Sequence, residues 1–139
     1  MLNSVVHSTI VPLILRLSLA AIFIFHGSQK VSPDNGWGAT WAKGMEDAPN
    51  SATQMAVAWG ELLGGIALAV GLLTRLAALG IGLIMAGAIY TTTGKNGFDA
   101  IHHGYEYNFL IIAVCLSLIL LGGGTLAVDR VFRFRRRKQ

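Results

Sequence analysis

The sequence predicts an all-α membrane protein: a compact four-helix transmembrane bundle with a short interfacial helix in its first outer loop. Three observations carry this. Four apolar stretches, over residues 9–30, 54–73, 76–93 and 107–128, fill most of the 139-residue chain, and each approaches the ~20 residues an α-helix needs to cross a ~30 Å hydrocarbon core. Charged residues make up 13% of the chain against 53% hydrophobic, whereas water-soluble domains carry about 25% charge. The mean hydropathy of +0.57 points the same way. The spans use so much of the chain that a single domain, 1–139, is expected, with no room for a separate soluble catalytic domain.

The first stretch contains Arg16, follows no Lys or Arg, and stays apolar past any cleavage site. It therefore reads as a retained helix rather than a signal peptide. Pro33, Asp34, Asn35 and Gly36 stop it. Trp37 and Trp41 follow four residues apart, a spacing that puts both on one face of a short helix over 37–45 in the interfacial belt where indoles collect. That element reads either as an interfacial anchor or as a lid over a cavity. Asp47 to Ser51 then start the second helix, with Ser51 as the expected N-cap. Thr74 and Arg75 alone separate the second and third stretches, so these must form a tight antiparallel hairpin. Gly60, Gly64, Ala67 and Gly71 share one helical arc, and Ala78, Gly82 and Ala86 another. Small residues at this spacing let membrane helices approach closely. The same arcs would also serve a homo-oligomer.

Basic residues set the orientation. The tail over 129–139 carries Arg130, Arg133, Arg135, Arg136, Arg137 and Lys138, and the hairpin turn carries Arg75. Both termini and Arg75 are therefore expected in the cytoplasm, with the 31–53 and 94–106 connections outside. A basic tail beside a span serves topology and attraction to anionic lipids in the bilayer, and no nucleic-acid partner is expected. The single cysteine, Cys115, lies mid-span among Val114, Leu116 and Leu118; it reads as apolar filler rather than a redox thiol.

Ionisable side chains inside spans cost about 2.5–3.5 kcal/mol each and so need a partner or a purpose. Here they are Arg16, His26 and Glu61, with Lys30 at the outer edge. On a helical wheel Arg16, His26 and Lys30 fall in an arc of about 80°, with Ala20, Phe23 and Gly27 between them. Side chains lean toward their own helix N-terminus. His26 and Glu61 would then converge about 10 Å below the outer surface, given 1.5 Å per residue. A His26–Glu61 contact is thus expected, and Arg16 should lean the other way, toward headgroups or Asp129. Near the outer ends of the third and fourth stretches lie Asp99, His102, His103, Gly104, Tyr105, Glu106, Tyr107 and Asn108. The candidate pocket therefore comprises His26, Lys30, Glu61, Glu106 and Asn108, with Arg16 and Arg75 in structural or topological roles. His102 and His103 are weak metal candidates, and no metal is expected.

Several pieces of the chain carry a family resemblance: Leu15-Arg16-Leu17, Phe25-His26-Gly27 and Lys30; Trp59-Gly60-Glu61-Leu62-Leu63-Gly64-Gly65; Gly71-Leu72-Leu73-Thr74-Arg75-Leu76-Ala77-Ala78; Gly104-Tyr105-Glu106-Tyr107-Asn108; and Leu121-Gly122-Gly123-Gly124 before Val128-Asp129-Arg130. In their order and spacing, over nearly the whole chain, the sequence resembles the DoxX family of small four-span bacterial membrane proteins. The family's namesake is associated with thiosulfate–quinone oxidoreductase as a membrane subunit. The resemblance implies a multi-pass protein of the bacterial cytoplasmic membrane. It also implies a subunit of an envelope redox or oxidative-stress complex with a redox-enzyme partner, touching quinone through the outer pocket and binding no cofactor firmly, rather than an enzyme by itself. A non-catalytic assembly protein is the alternative, and a small-solute transporter the least favoured, since neither a repeat nor a broken helix is visible.

Overall fold

The computed structural model describes residues 2–45 and 48–130; Asp47 and the tail residues Arg133, Arg135, Arg136, Arg137 and Lys138 lie outside the described residues. Four long helices organise it. Helix α1 (Val11–Lys30) is led in by a helical turn at Leu2–Val5 and a π turn at Val6–Ile10. Helices α2 (Ser51–Val70), α3 (Thr74–Thr91) and α4 (Glu106–Leu121) follow. Three helical stretches, Val6–Lys30, Ser51–Val70 and Thr74–Thr91, are long and apolar enough to cross a bilayer. The fourth is shorter, at 16 residues, or about 24 Å of rise.

Each helix buries about one residue per turn on a single stripe. On α1 these are Pro12, Arg16, Leu19, Ala20, Phe23 and Gly27; of the predicted polar stripe, Arg16 is buried, Lys30 is half-buried and His26 is exposed. On α2 they are Gln54, Ala58, Glu61, Gly65 and Leu68, on α3 Thr74, Ala78, Ile81 and Met85, and on α4 Asn108, Ile111, Cys115 and Leu118. The apolar members form one core, in which Cys115 packs as a small hydrophobe. Helix α1 packs chiefly on α2 and α3 on α4; the α2–α3 seam joins the two pairs, and a smaller α1–α4 seam closes the ring.

Glycines set the distances. A Cβ on Gly27 would lie 2.5 Å from the Leu62 nitrogen, and one on Gly65 would lie 2.8 Å from that of Ile24. These two residues are where α1 and α2 approach backbone to backbone. Gly60 and Gly64 instead face Ile84 and Ile81 of α3. Gly60 and Gly64 of the predicted small-residue arc thus serve the α3 seam, while Gly65, outside that arc, serves α1.

Several boundaries differ from expectation. Asn50, not Ser51, caps α2, its Oδ1 accepting from the Thr53 amide at 2.9 Å. The α2–α3 turn is Gly71–Leu73, with Thr74 and Arg75 inside α3. Gly71, at φ +73°, supplies the left-handed C-cap, and a side chain there would overlap Arg16 and Ala127. The expected span over 107–128 stops at Leu121, where Gly122 turns the chain at φ +77°. The continuation is apolar, but it folds across the end of the bundle instead of prolonging α4. There Arg16 Nη1 donates to the Gly123 carbonyl at 2.9 Å, and the Thr125 amide donates to Ser8 O. The Asp129 carboxylate accepts from the amides of Leu73 and Thr74 at 2.6 and 2.8 Å, filling the donors left open at the start of α3. Arg16 is 2% exposed and lies in the field of Asp129. Of its two expected environments, this end of the bundle supplies the one near Asp129. Arg75 stays exposed at the same end and donates to Leu120 O.

The helix expected over 37–45 is a 3₁₀ turn at Pro33–Gly38 followed by further turns. Gly36 and Trp37 both have positive φ, so Trp37 and Trp41 do not share a helical face. Trp37 is 61% exposed, and its carbonyl accepts from the Trp59 indole. Trp41 turns the other way, into the bundle.

Candidate functional site

At the end opposite Arg16 the four helices enclose a cavity of about 580 Å³. Helix α1 contributes Phe23, His26 and Lys30; α2 contributes Val57 and Glu61; α3 and the turn after it contribute Met85 and Thr91 to Thr93; α4 contributes Tyr107 and Asn108. Most of this lining is apolar, and the charge is concentrated in one pair. Lys30 Nζ donates to both Glu61 oxygens at 2.7 Å. The Glu61 side chain is 3% exposed and that of Lys30 23%.

The expected His26–Glu61 contact is not formed. Lys30 takes the place of His26 because its four-carbon stem leans back along α1 by about a turn and carries the ammonium to the depth of Glu61. The shorter His26 ring stays at the exposed edge of the cavity, edge-on to Phe25 at 5.4 Å between centroids. The lean toward the N-terminus was the right physical consideration, but side-chain length decided which residue profits from it.

The connection after α1 closes over this pair. Trp41 lies with its ring centroid 4.5 Å from Lys30 Nζ, a distance for cation–π attraction. Gln54, on the first turns of α2 and 6% exposed, holds that loop at three points. Its Oε1 accepts from the Ala42 amide at 2.9 Å, its Nε2 donates to Pro49 O at 2.7 Å, and its backbone carbonyl accepts from Trp41 Nε1 at 2.8 Å. A buried primary amide with both ends satisfied fixes a loop far better than an exposed one.

Of the sequence candidates, His26, Lys30, Glu61 and Asn108 line the cavity and Glu106 does not. Asn108 is buried between α3 and α4, with Nδ2 directed at Met85 Sδ at 3.5 Å and Oδ1 3.4 Å from Thr93 Oγ1. Glu106 faces the preceding connection, where Oε2 accepts from the Ala100 amide. His102 pairs with Asp99 at 2.7 Å on the exposed surface. Among the described residues no three His, Cys, Asp or Glu side chains gather as metal ligands. Trp41 and Tyr107 also line the cavity; the sequence offered Trp41 as a belt aromatic or part of a lid, and Tyr107 as a belt aromatic beside the outer polar groups. Tyr107, on α4, lies within electrostatic reach of Glu61.

A sequence profile of the DoxX family matches residues 11–94, from α1 through the end of α3. The chain belongs to the DoxX family. The match takes in Lys30, Glu61 and Trp41 of the cavity but not Tyr107 or Asn108. This DoxX membrane protein is also 27% identical over 129 residues to an uncharacterised protein of Haemophilus influenzae, covering 87% of this chain and 82% of that one. No solved structure matches.

Proposed function

We propose that this DoxX protein is a membrane subunit of an envelope redox or oxidative-stress complex, and that its cavity receives the ring of a quinone. The observation that carries this reading is the Lys30–Glu61 pair. It places an ammonium and a carboxylate side by side at the wall of a mostly apolar chamber of about 580 Å³, within the size range of small-molecule sites. A quinone needs hydrogen-bond donors at its ring oxygens and an apolar slot for the ring. Lys30 and the Tyr107 hydroxyl are such donors, and the Trp41 and Phe23 rings supply flat apolar surface. Reduction of a quinone to the quinol takes two electrons and two protons. The electrons come from a redox-enzyme partner, and Lys30 and Glu61 stand where protons are added or removed. In this reading the chain does not carry out the reaction alone. It lies in the bacterial cytoplasmic membrane with both termini inside, which puts the cavity end outside.

Binding is tested on protein purified from native membranes and titrated with a short-chain benzoquinone, read by tryptophan quenching. Lys30→Gln is expected to weaken binding by at least about tenfold, or ~1.4 kcal/mol. Copurifying quinone or a dehydrogenase would support the reading. A second reading, an assembly subunit without chemistry, is favoured by how fully Glu61 is paired. A homo-oligomer that is free of cofactor and does not bind the probe would decide for it. Orientation has its own check: reporter fusions are expected to be active outside only within 31–53 and 94–106, and an external C-terminus would reverse the assignment.

A further inference from the structure

We infer that the cavity opens sideways into the bilayer between α2 and α3, and that an isoprenoid tail attached to the ring leaves through this opening past Gly87. The inference rests on the quinone reading and adds the path and the kind of quinone. The two helices are tied at Gly71–Leu73 and stay close where Gly64 meets Ile81 and Gly60 meets Ile84. Beyond Ile84 the wall changes. Leu83, Gly87 and Thr91 of α3 and Thr53 of α2 line the cavity and are also exposed on the outer face of the bundle, Leu83 by 64%. A residue that faces both the cavity and the exterior marks a mouth. At Gly87 a Cβ would meet nothing within 4 Å.

Depth says what lies outside that mouth. Leu83 and Gly87 are about 12 and 6 Å along α3 from its end at Thr91, and Glu61 is about 15 Å along α2 from Ser51. The mouth therefore runs from the helix ends to just short of the depth of Glu61, and its inner part at Leu83 lies in the hydrocarbon zone, where acyl chains rather than water press on the protein. The loop side is covered by Trp41 and Met45, held by the Gln54 hydrogen bonds. A water-soluble ligand would have to pass that cover, whereas an amphiphile already dissolved in the bilayer has its polar ring drawn to Lys30 and Glu61 and its tail left among lipid chains. A chamber with one charged wall and a hydrocarbon-facing mouth fits a tailed ring better than a free ring.

The test uses the full-length protein in lipid nanodiscs and two probes, a benzoquinone with a long isoprenoid tail and the same ring without a tail. Gly87→Phe puts a bulky ring at the mouth where space is open. Gly80→Phe adds the same ring to α3 at a position that is equally open but does not line the cavity. Gly87→Phe is expected to weaken the tailed quinone by about tenfold or more and leave the tail-less ring within about twofold, while Gly80→Phe changes neither. Comparing variants with one probe at a time removes differences in partitioning. Equal effects of the two variants on the tailed quinone, or equal losses for both probes with Gly87→Phe, would overturn the portal. If the wild-type protein binds neither probe, the quinone reading and the isoprenoid occupant both fail. The opening is then judged by quenching of Trp41 with phospholipids brominated at mid-chain, in a Trp37→Phe, Trp59→Phe background. Relief of quenching by Gly87→Phe alone would keep the opening with a lipid chain as its occupant, and no relief would remove it.

Discussion

Lys30→Met is expected to lower the stability of the protein in detergent by about 3 kcal/mol or more, because it leaves the buried Glu61 carboxylate without the ammonium that donates to both its oxygens. The pair is asymmetric, and so is the expected result. Glu61 is almost fully buried and Lys30 only partly so. Glu61→Leu should therefore cost less, since a freed Lys30 can extend its stem toward the surface. The double variant Lys30→Met, Glu61→Leu should recover most of the loss, as replacement of a buried ion pair by apolar groups often does. His26→Ala, which removes no hydrogen bond to Glu61, should stay within about 0.5 kcal/mol of wild type. Thermal and denaturant unfolding of the four variants measures the coupling directly. Equal losses in both single variants with no recovery in the double would mean that Lys30 and Glu61 act separately.

Gly27→Val should be as damaging by a different route. Its Cβ would lie between 2.5 and 2.9 Å from the nitrogen, Cα and Cβ of Leu62. Two of those atoms are backbone and cannot turn aside, so α1 and α2 would have to separate. The cost should reach about 3 kcal/mol, at the upper end for overpacking. Gly65→Val, aimed at the backbone of Ile24, should act alike, whereas Gly80→Val meets open space and should be nearly silent. Lys30 lies within one turn of Gly27, so separation of the helices also draws the ammonium away from Glu61. In Gly27→Val, probe binding should therefore fall together with stability. A Gly27→Val protein that unfolds like wild type would show that the two helices do not depend on this close approach.

The apolar runs and the buried stripe of α1 were legible because both depend on local quantities, namely hydropathy over some twenty residues and a repeat of 3.6. Arg16 and Glu61 were conspicuous for the same reason: an ionisable group in an apolar run is visible from its neighbours alone. The end of α4 was less so. The residues after Leu121 remain apolar through Leu126 to Val128, and the glycines that stop the helix could equally have been read as packing residues. What turns the chain there is a set of distant contacts, with Arg16 at Gly123 and Asp129 at the start of α3. Asp129 as a helix cap 55 residues from the amide it serves leaves no mark in local spacing.

By itself, then, the sequence determined the helical membrane class, the existence of polar groups within the spans, and the inward face of α1 that carries Arg16, since these follow from composition and periodicity along one chain. Only the tertiary structure decided that Glu61 pairs with Lys30 rather than His26, that Gly65 faces α1 while Gly60 and Gly64 face α3, and that Trp41 and Tyr107 join the cavity while Glu106 stays outside it. Those outcomes depend on side-chain reach and on the angles between helices. Differences of a few ångströms between residues far apart in sequence settle them, and no periodicity encodes such distances.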